Sequence, residues 1–387
     1  MANILYLVTE DWYFCSHRLP LARAAKNAGH NVIVVTQTGD HADVINSEGF
    51  KLIPIRFPRS LRRPWYDVSA LLSISRIYRK EQPEIVHHVA LKPVVYGSMM
   101  ALLIRKSIHH SNSPFIVNAL TGLGFVFTSQ RLSARTLRIL VIPLLRFLLR
   151  RKNTHVILQN RDDMEMLVSG GFLNPDQVTL IRGSGVDTET FRPHPEAEGP
   201  PVVMLVARIL RDKGVEEFVE AARQLCKDGI QARFVLVGGI DRENPSAVTK
   251  KMLEQWQKGG FIEWWGRRGN MPEVYHQAHV VCLPSYREGL PKVLLEAAAC
   301  GRPIVATNVP GCREIVVDGD NGLLVPARDV DALADALKKL IGRPEMRKQM
   351  GAKGRALVER EFSEEKIVRE TLELYGRLLG GSSSLQQ

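Results

Sequence analysis

Two glutamates eight positions apart, Glu288 and Glu296, have the spacing and setting of ligand-binding groups; they lie in CLPSYREGLPKVLLEAAACGRPIVATNVPGCREIV, which begins at Cys282. The pattern predicts a strand ending near Ser285, a turn through Arg287, Glu288 and Gly289, and a helix opening around Leu290 with Pro291 in its first turn. Backbone amides at that helix start would then face a phosphate, and Gly289 allows the close approach. Two carboxylates so placed can address two hydroxyl-bearing parts of one ligand, a sugar ring and a ribose, while the amides between them hold a diphosphate. The plain alternative is a capped helix with solvent-facing acids. Glu296 sits within the apolar run LLEAAACG, where an unpaired carboxylate is costly. A second group stands in VARILRDKGVEEFVEAA, where Arg208 follows an apolar strand and Lys213 and Gly214 precede a helix. Two cations at a strand-to-helix junction can bind a diphosphate and stabilise it as it leaves; a loop of solvated charges is the competing reading.

These residues need elements to hold them. Short β-branched runs, NILYLV from Asn3, NVIVV from Asn31, KLIPI from Lys51, EIVHHV from Glu84, PFIVN from Pro114, THVIL from Thr154 and QVTLI from Gln177, alternate with helical patterns. After RPHPEAEGPP the rhythm restarts with VVMLVAR, ARFVLVGG, FIEWWG, HVVCLPS, PIVAT and GLLVPAR. Continuous apolar strands between helices imply parallel sheets covered on both faces. The expectation is an α/β chain of two doubly wound domains, 1–190 and 191–362, with ligands at the carboxyl ends of the strands in the cleft between them. A final helix over 363–380, opened by Ser363, is expected to pack back on the first domain.

A chain of 387 residues with 45% apolar content can fill two cores, and disorder is excluded. Cys15, Cys226, Cys282, Cys300 and Cys312 form no C-x-x-C pair, which fits neither a zinc site nor a disulfide framework. MANILYLVTE enters a strand directly with no basic leader, so a cytoplasmic protein is expected. The net charge of +11 is local: from Ile85 to Arg161 there are 11 basic residues and no acidic one. Such an excess argues for an anionic surface or substrate at one half of the molecule.

The Glu288 and Glu296 stretch, with Gly-Leu-Pro after the first glutamate, and the VAR-x5-G segment together resemble glycosyltransferase family 4, the retaining enzymes of GT-B fold. RGSGVDTETFRP from Arg182 resembles that family's domain-crossing segment, with Ser184 where asparagine is usual, and NVPGCREIVVDGDNGLLVPARD also matches. The resemblance implies sugar transfer from a nucleotide diphosphate donor with retention at the anomeric carbon. It implies Arg208 and Lys213 on the diphosphate, Glu288 near the sugar hydroxyls, Glu296 on the ribose, and the amides of Gly289 and Leu290 near the phosphates. No metal and no other cofactor is expected.

One departure is informative. Instead of the paired-glycine loop common in the family, the first strand leads into EDWYFCSHRLPLARAA, with His17 and Arg18 ahead of a helix where a cation and free amides could hold an acceptor phosphate. With HHVALKP from His87, whose Lys92 is expected to bind acceptor together with His17 and Arg18, and NALTGLGFVF from Asn118, this variant resembles bacterial transferases that elongate undecaprenyl-diphosphate-linked N-acetylated sugars. The group most similar moves N-acetylgalactosamine from UDP to a lipid-linked diacetylbacillosamine. A UDP-sugar and a polyprenyl-diphosphate-linked acceptor are therefore the expected partners. His87 and His88 point to opposite faces of their strand, so at most one meets substrate; the other is a core histidine. In related enzymes a histidine at this strand end lies near the transferred sugar.

SARTLRILVIPLLRFLLRRK from Ser133 places Arg135, Arg138, Arg146 and Arg150 on an otherwise apolar helix, too interrupted to span a bilayer. It reads either as an interfacial helix on an anionic membrane surface or as a domain helix with a broad buried face. RFPRSLRRPWY from Arg56 favours the first, and with it peripheral association with the inner face of the plasma membrane. A nucleic-acid-binding protein would explain the basic half but not the paired glutamates, and no nucleic acid is expected. The same fold would also serve a GT-B protein that binds lipid or nucleotide sugar without transferring it, or a GT-B epimerase or phosphorylase.

Overall fold

A computed structural model of the chain describes residues 1–57, 64–107, 113–122, 132–241 and 244–380. The chain divides into two compact units, Met1–Ser184 with Ile367–Gln387, and Gly185–Lys366.

The first unit is built on a parallel sheet. Its strands are β1 (Asn3–Glu10), β2 (Asn31–Gln37), β3 (Lys51–Pro54), β4 (Ile85–Val89), β5 (Phe115–Leu120), β6 (Thr154–Leu158) and β7 (Val178–Leu180), in the order β3-β2-β1-β4-β5-β6-β7. Alternation along β1 separates two cores. Ile4, Tyr6 and Val8 pack with the helix Leu19–Asn27 and with Ile367, Leu374 and Tyr375 of the last helix, Glu364–Gly380. Leu5 and Leu7 pack on the other face with Ile74 and Tyr78 of Pro64–Glu81 and with Met100 and Ile104 of Leu91–Ser107. Strand order reverses between β1 and β4, which creates a crevice at their carboxyl ends.

The second unit repeats the plan with β8 (Val202–Val206), β9 (Arg233–Val237), β10 (Glu263–Gly266), β11 (Val280–Leu283), β12 (Ile304–Thr307) and β13 (Gly322–Val325), in the order β10-β9-β8-β11-β12-β13. Every residue of β8, β11 and β12 is buried, as a sheet covered on both faces requires. Val215, Phe218, Val219, Ala222 and Leu225 form one stripe of the helix Val215–Lys227 and pack on Val203 and Leu205. Here the order reverses between β8 and β11.

The division between units falls at Ser184, ahead of the expected residue 190. Val186 exchanges backbone hydrogen bonds with Phe362 and Glu364, and Arg355 donates to the carbonyls of Thr188 and Phe191, which ties this segment to the second unit. The last helix begins at Glu364, with the Ser363 hydroxyl accepting from the Lys366 amide at 3.4 Å.

Candidate active site

In the second unit, the two loops leaving the switch-point strands β8 and β11 carry the predicted groups. Arg208 follows β8 and its guanidinium donates to Asp241 at 2.9 Å. Lys213 ends the turn Arg211–Lys213, and its ammonium meets the Glu288 carboxylate at 2.5 Å, with both side chains mostly buried. The backbone enforces this meeting at two glycines. Gly214 has φ +69°, and a Cβ there would stand 2.1 Å from the Pro284 carbonyl at the end of β11. Gly311 has φ +80°, and a Cβ there would stand 2.5 Å from the Gly289 carbonyl. Both positions need the left-handed conformation and leave no room for a side chain.

The helix after this loop runs Lys292–Ala299, later than expected, with Pro291 as its N-cap residue. The proline ring disfavours helical backbone in the residue before it, so Gly289 and Leu290 lie in the preceding loop. Glu296 accepts a hydrogen bond from the hydroxyl of fully buried Tyr275 at 3.0 Å. Burial pushes the Glu296 carboxyl up, against the lowering pull of Lys292 and the Tyr275 hydroxyl. Tyr275 lies in the short helix Met271–His276, and nothing in its sequence surroundings marks it as a partner of Glu296.

In the first unit, β4 resolves the histidine pair. Both rings are fully buried. His88 uses both nitrogens within the core: Nδ1 bonds Asn118 Oδ1 at 2.7 Å and Nε2 bonds the Tyr78 hydroxyl at 2.7 Å. A donating Nδ1 and an accepting Nε2 complete a chain that the Asn118 amide extends to Ser98. Burial holds the His88 ring neutral, lowering its pKa to about 4. The expectation that His88 is catalytic is therefore corrected, because neither ring nitrogen is available to substrate.

His87 faces the opposite side of the sheet, beside its register partner Tyr6. Its Nδ1 bonds the Tyr375 hydroxyl at 2.5 Å, whereas Nε2 is buried without a hydrogen-bond partner. Burial first, and then the nearby Arg18 charge, hold this ring well below the usual histidine range. His87 lines a cavity of about 20 Å³ with Arg18, Gly183, Ser184 and Thr371.

His17 is the last residue of a short helix, Asp11–His17, rather than part of a loop. Asp11, the first residue of that helix, accepts from the amides of Trp12, Gly39 and His41, a tie to the chain after β2 that sequence spacing does not reveal because two of its donors lie far along the chain. Arg18 is the junction to Leu19–Asn27; it is 5% exposed, and its Nε has no hydrogen-bond partner. His17 lines the same cavity. Lys92 does not. It pairs with Asp67 at 2.9 Å over the ring of Tyr96, so the structure does not bring it together with His17 and Arg18.

The helix Leu132–Leu149 carries Arg146 on its exposed side, followed by Arg150, which donates to the Gly171 carbonyl at 3.3 Å. Leu145 and Leu149 are buried against Val156, Leu158 and Leu167, so the final turns of this helix belong to the core. The side chains of Arg135 and Arg138 lie outside the described residues, as do residues 58–63 of the basic RFPRSLRRPWY segment. Among the described residues, no helix is long and apolar enough to cross a membrane.

Two parallel-sheet Rossmann-like units, each with its charged groups at a switch point, make up the GT-B fold. Residues 3–160 match the model of the Glycosyl transferase 4-like family and residues 186–357 that of Glycosyl transferases group 1, and the chain belongs to glycosyltransferase family 4. Among curated proteins it is 27% identical over 94% of its length to the N,N'-diacetylbacillosaminyl-diphospho-undecaprenol alpha-1,3-N-acetylgalactosaminyltransferase of Campylobacter jejuni, covering 95% of that protein. It is 25% identical to the UDP-Gal:alpha-D-GlcNAc-diphosphoundecaprenol alpha-1,3-galactosyltransferase of Escherichia coli, over 71% of this chain and 70% of that one. Sucrose-phosphate synthase from Thermosynechococcus elongatus has the same fold, with a TM-score of 0.82 at 21% identity over 98% of this chain and 100% of its own.

Proposed function

We propose that this chain transfers N-acetylgalactosamine or another N-acetylhexosamine from a UDP-sugar to an undecaprenyl-diphosphate-linked saccharide in bacterial glycan assembly, with retention at the anomeric carbon. The observation that carries the reading is the Lys213–Glu288 pair at the β8 and β11 exits. Family membership and the similarity to the Campylobacter jejuni enzyme along nearly its whole length support the class of donor and acceptor.

Each group in the second unit has a role in this reading. The donor diphosphate takes Lys213 from Glu288, which frees the carboxylate to accept from a sugar hydroxyl. Arg208 adds a second cation, so the charge that develops on departing UDP is met without a metal. The Gly289 and Leu290 amides contact the phosphates, and Glu296, fixed by Tyr275, binds the ribose. In the first unit His87 and Arg18, with His17 beside them, face the acceptor side.

An anionic membrane surface is the proposed third partner, reached from the cytoplasmic side. Trp65, Val68, Leu72, Arg76 and Arg79 are exposed along one line of the helix Pro64–Glu81, apolar at its start and basic at its end. Apolar residues entering the acyl boundary beside arginines at the headgroups are what peripheral binding requires.

The test is nucleotide release from a panel of UDP-sugars, with undecaprenyl-diphosphate-linked and free saccharides as acceptors. The proposal expects UDP release that depends on the lipid diphosphate. Release that is equal with the free saccharide, or absent with every donor, overturns it.

A further inference from the structure

The last helix reaches the sheet through a polar contact that its sequence conceals. Ile367, Thr371, Leu374 and Tyr375 recur at helical spacing and are buried, so Tyr375 has the place of a core aromatic. Its hydroxyl bonds His87 Nδ1 at 2.5 Å and lies 3.4 Å from the Tyr6 hydroxyl. The three side chains form one buried chain, Tyr6, Tyr375 and His87, which ends at the buried, unpartnered Nε2 of His87, a residue that lines the cavity beside Arg18.

The order of the chain decides where the imidazole proton sits. A tyrosine hydroxyl has one hydrogen to donate. When Tyr375 donates to Tyr6, its oxygen accepts from His87, so Nδ1 carries the hydrogen and Nε2 presents a lone pair. The hydrogen bond at one ring nitrogen thus fixes the other. Arg18 favours the same arrangement, because a cation beside the ring prefers a lone pair to an N–H. The cavity of about 20 Å³ that His87 lines has room for a group the size of a water or hydroxyl.

We propose that Tyr375 is a positioning residue that holds His87 as the Nδ1–H tautomer, so that Nε2 accepts a hydrogen bond from a hydroxyl of the sugar substrate. This rests on the transferase reading above. Tyr375 touches no substrate and acts only through His87; Tyr6 sets the direction of its hydroxyl.

The test combines ¹⁵N-imidazole NMR with turnover. Long-range nitrogen–proton correlations distinguish the two tautomers, and His87→Gln identifies the signal by its loss. The wild-type chain is expected to show protonated Nδ1 and bare Nε2. Tyr375→Phe removes the acceptor for that proton, and the ring should shift towards the Nε2–H form while kcat/KM falls about tenfold. Tyr6→Phe leaves the Tyr375–His87 contact in place but frees Tyr375 to donate to Nδ1, so the same tautomer change and loss are expected in a chain with an intact core. Wild-type His87 in the Nε2–H form overturns the inference, as do variants that keep both tautomer and turnover. Wild-type protein that transfers no sugar overturns the transferase reading and with it the purpose of the tautomer, even where the NMR shifts follow.

Discussion

Lys213 has two anions to neutralise in turn, the Glu288 carboxylate at 2.5 Å in this structure and the diphosphate of the proposed donor. Removing the lysine costs transition-state stabilisation and also leaves Glu288 mostly buried without its cation. Lys213→Ala is expected to lower kcat by about a hundredfold or more, measured as UDP release at saturating donor. Glu288→Gln, which keeps the hydrogen-bonding shape and loses the charge, should show a smaller loss than Glu288→Ala. Equal activity of both glutamate variants with wild type would mean that the pair is structural. Glu296 differs in kind, since Tyr275 holds it and burial raises its pKa. Tyr275→Phe should raise the KM for the donor more than it lowers kcat, as expected for a group that positions the ribose contact.

At the scale of elements, the loops work because glycine permits approaches that no other residue does. Gly214→Ala would force a Cβ against the Pro284 carbonyl in a left-handed backbone, and a loss of about 2 kcal/mol or more in denaturant unfolding is expected. Strands and their parallel order were legible because runs such as VVMLV and IVHHV are continuous and apolar, which only a doubly covered sheet accommodates. The paired glutamates and the two cations were legible from spacing. The partners were not, since Tyr375 and Tyr275 look like core aromatics until their hydroxyls are placed, and Asp67, which holds Lys92, is distant in sequence. The amphipathic helix is a similar case. Apolar residues around Leu132–Leu149 suggest an interfacial face, yet its final leucines fill the core, and an exposed apolar line lies on Pro64–Glu81. Trp65→Ser combined with Leu72→Ser should reduce binding to vesicles of anionic lipid about tenfold in a sedimentation assay, with turnover of a short-chain acceptor unchanged.

Across the whole molecule, acid acts unequally on the two units. His87, His88 and His155 are held neutral in the first unit, chiefly by burial, with His88 and His155 lowered to about 4. The unfolded chain takes up protons at these rings below about pH 6.5, so the stability they contribute is present above that value and is lost as pH falls towards about 4. For His88 alone the loss is roughly 3 kcal/mol. His279 acts in the same sense in the second unit. Hydrogen exchange at pH 7 and pH 5 should therefore show protection falling first in the sheet β1–β7, and equal loss in both sheets would contradict this assignment. The most direct measurement is the mass of an undecaprenyl-diphosphate-linked saccharide after incubation with UDP-N-acetylgalactosamine and either wild-type or Lys213→Ala protein. A gain of one N-acetylhexosamine with wild type, strongly reduced in the variant, is the predicted result; no gain with this or any other UDP-sugar, from protein that binds both substrates, would contradict it.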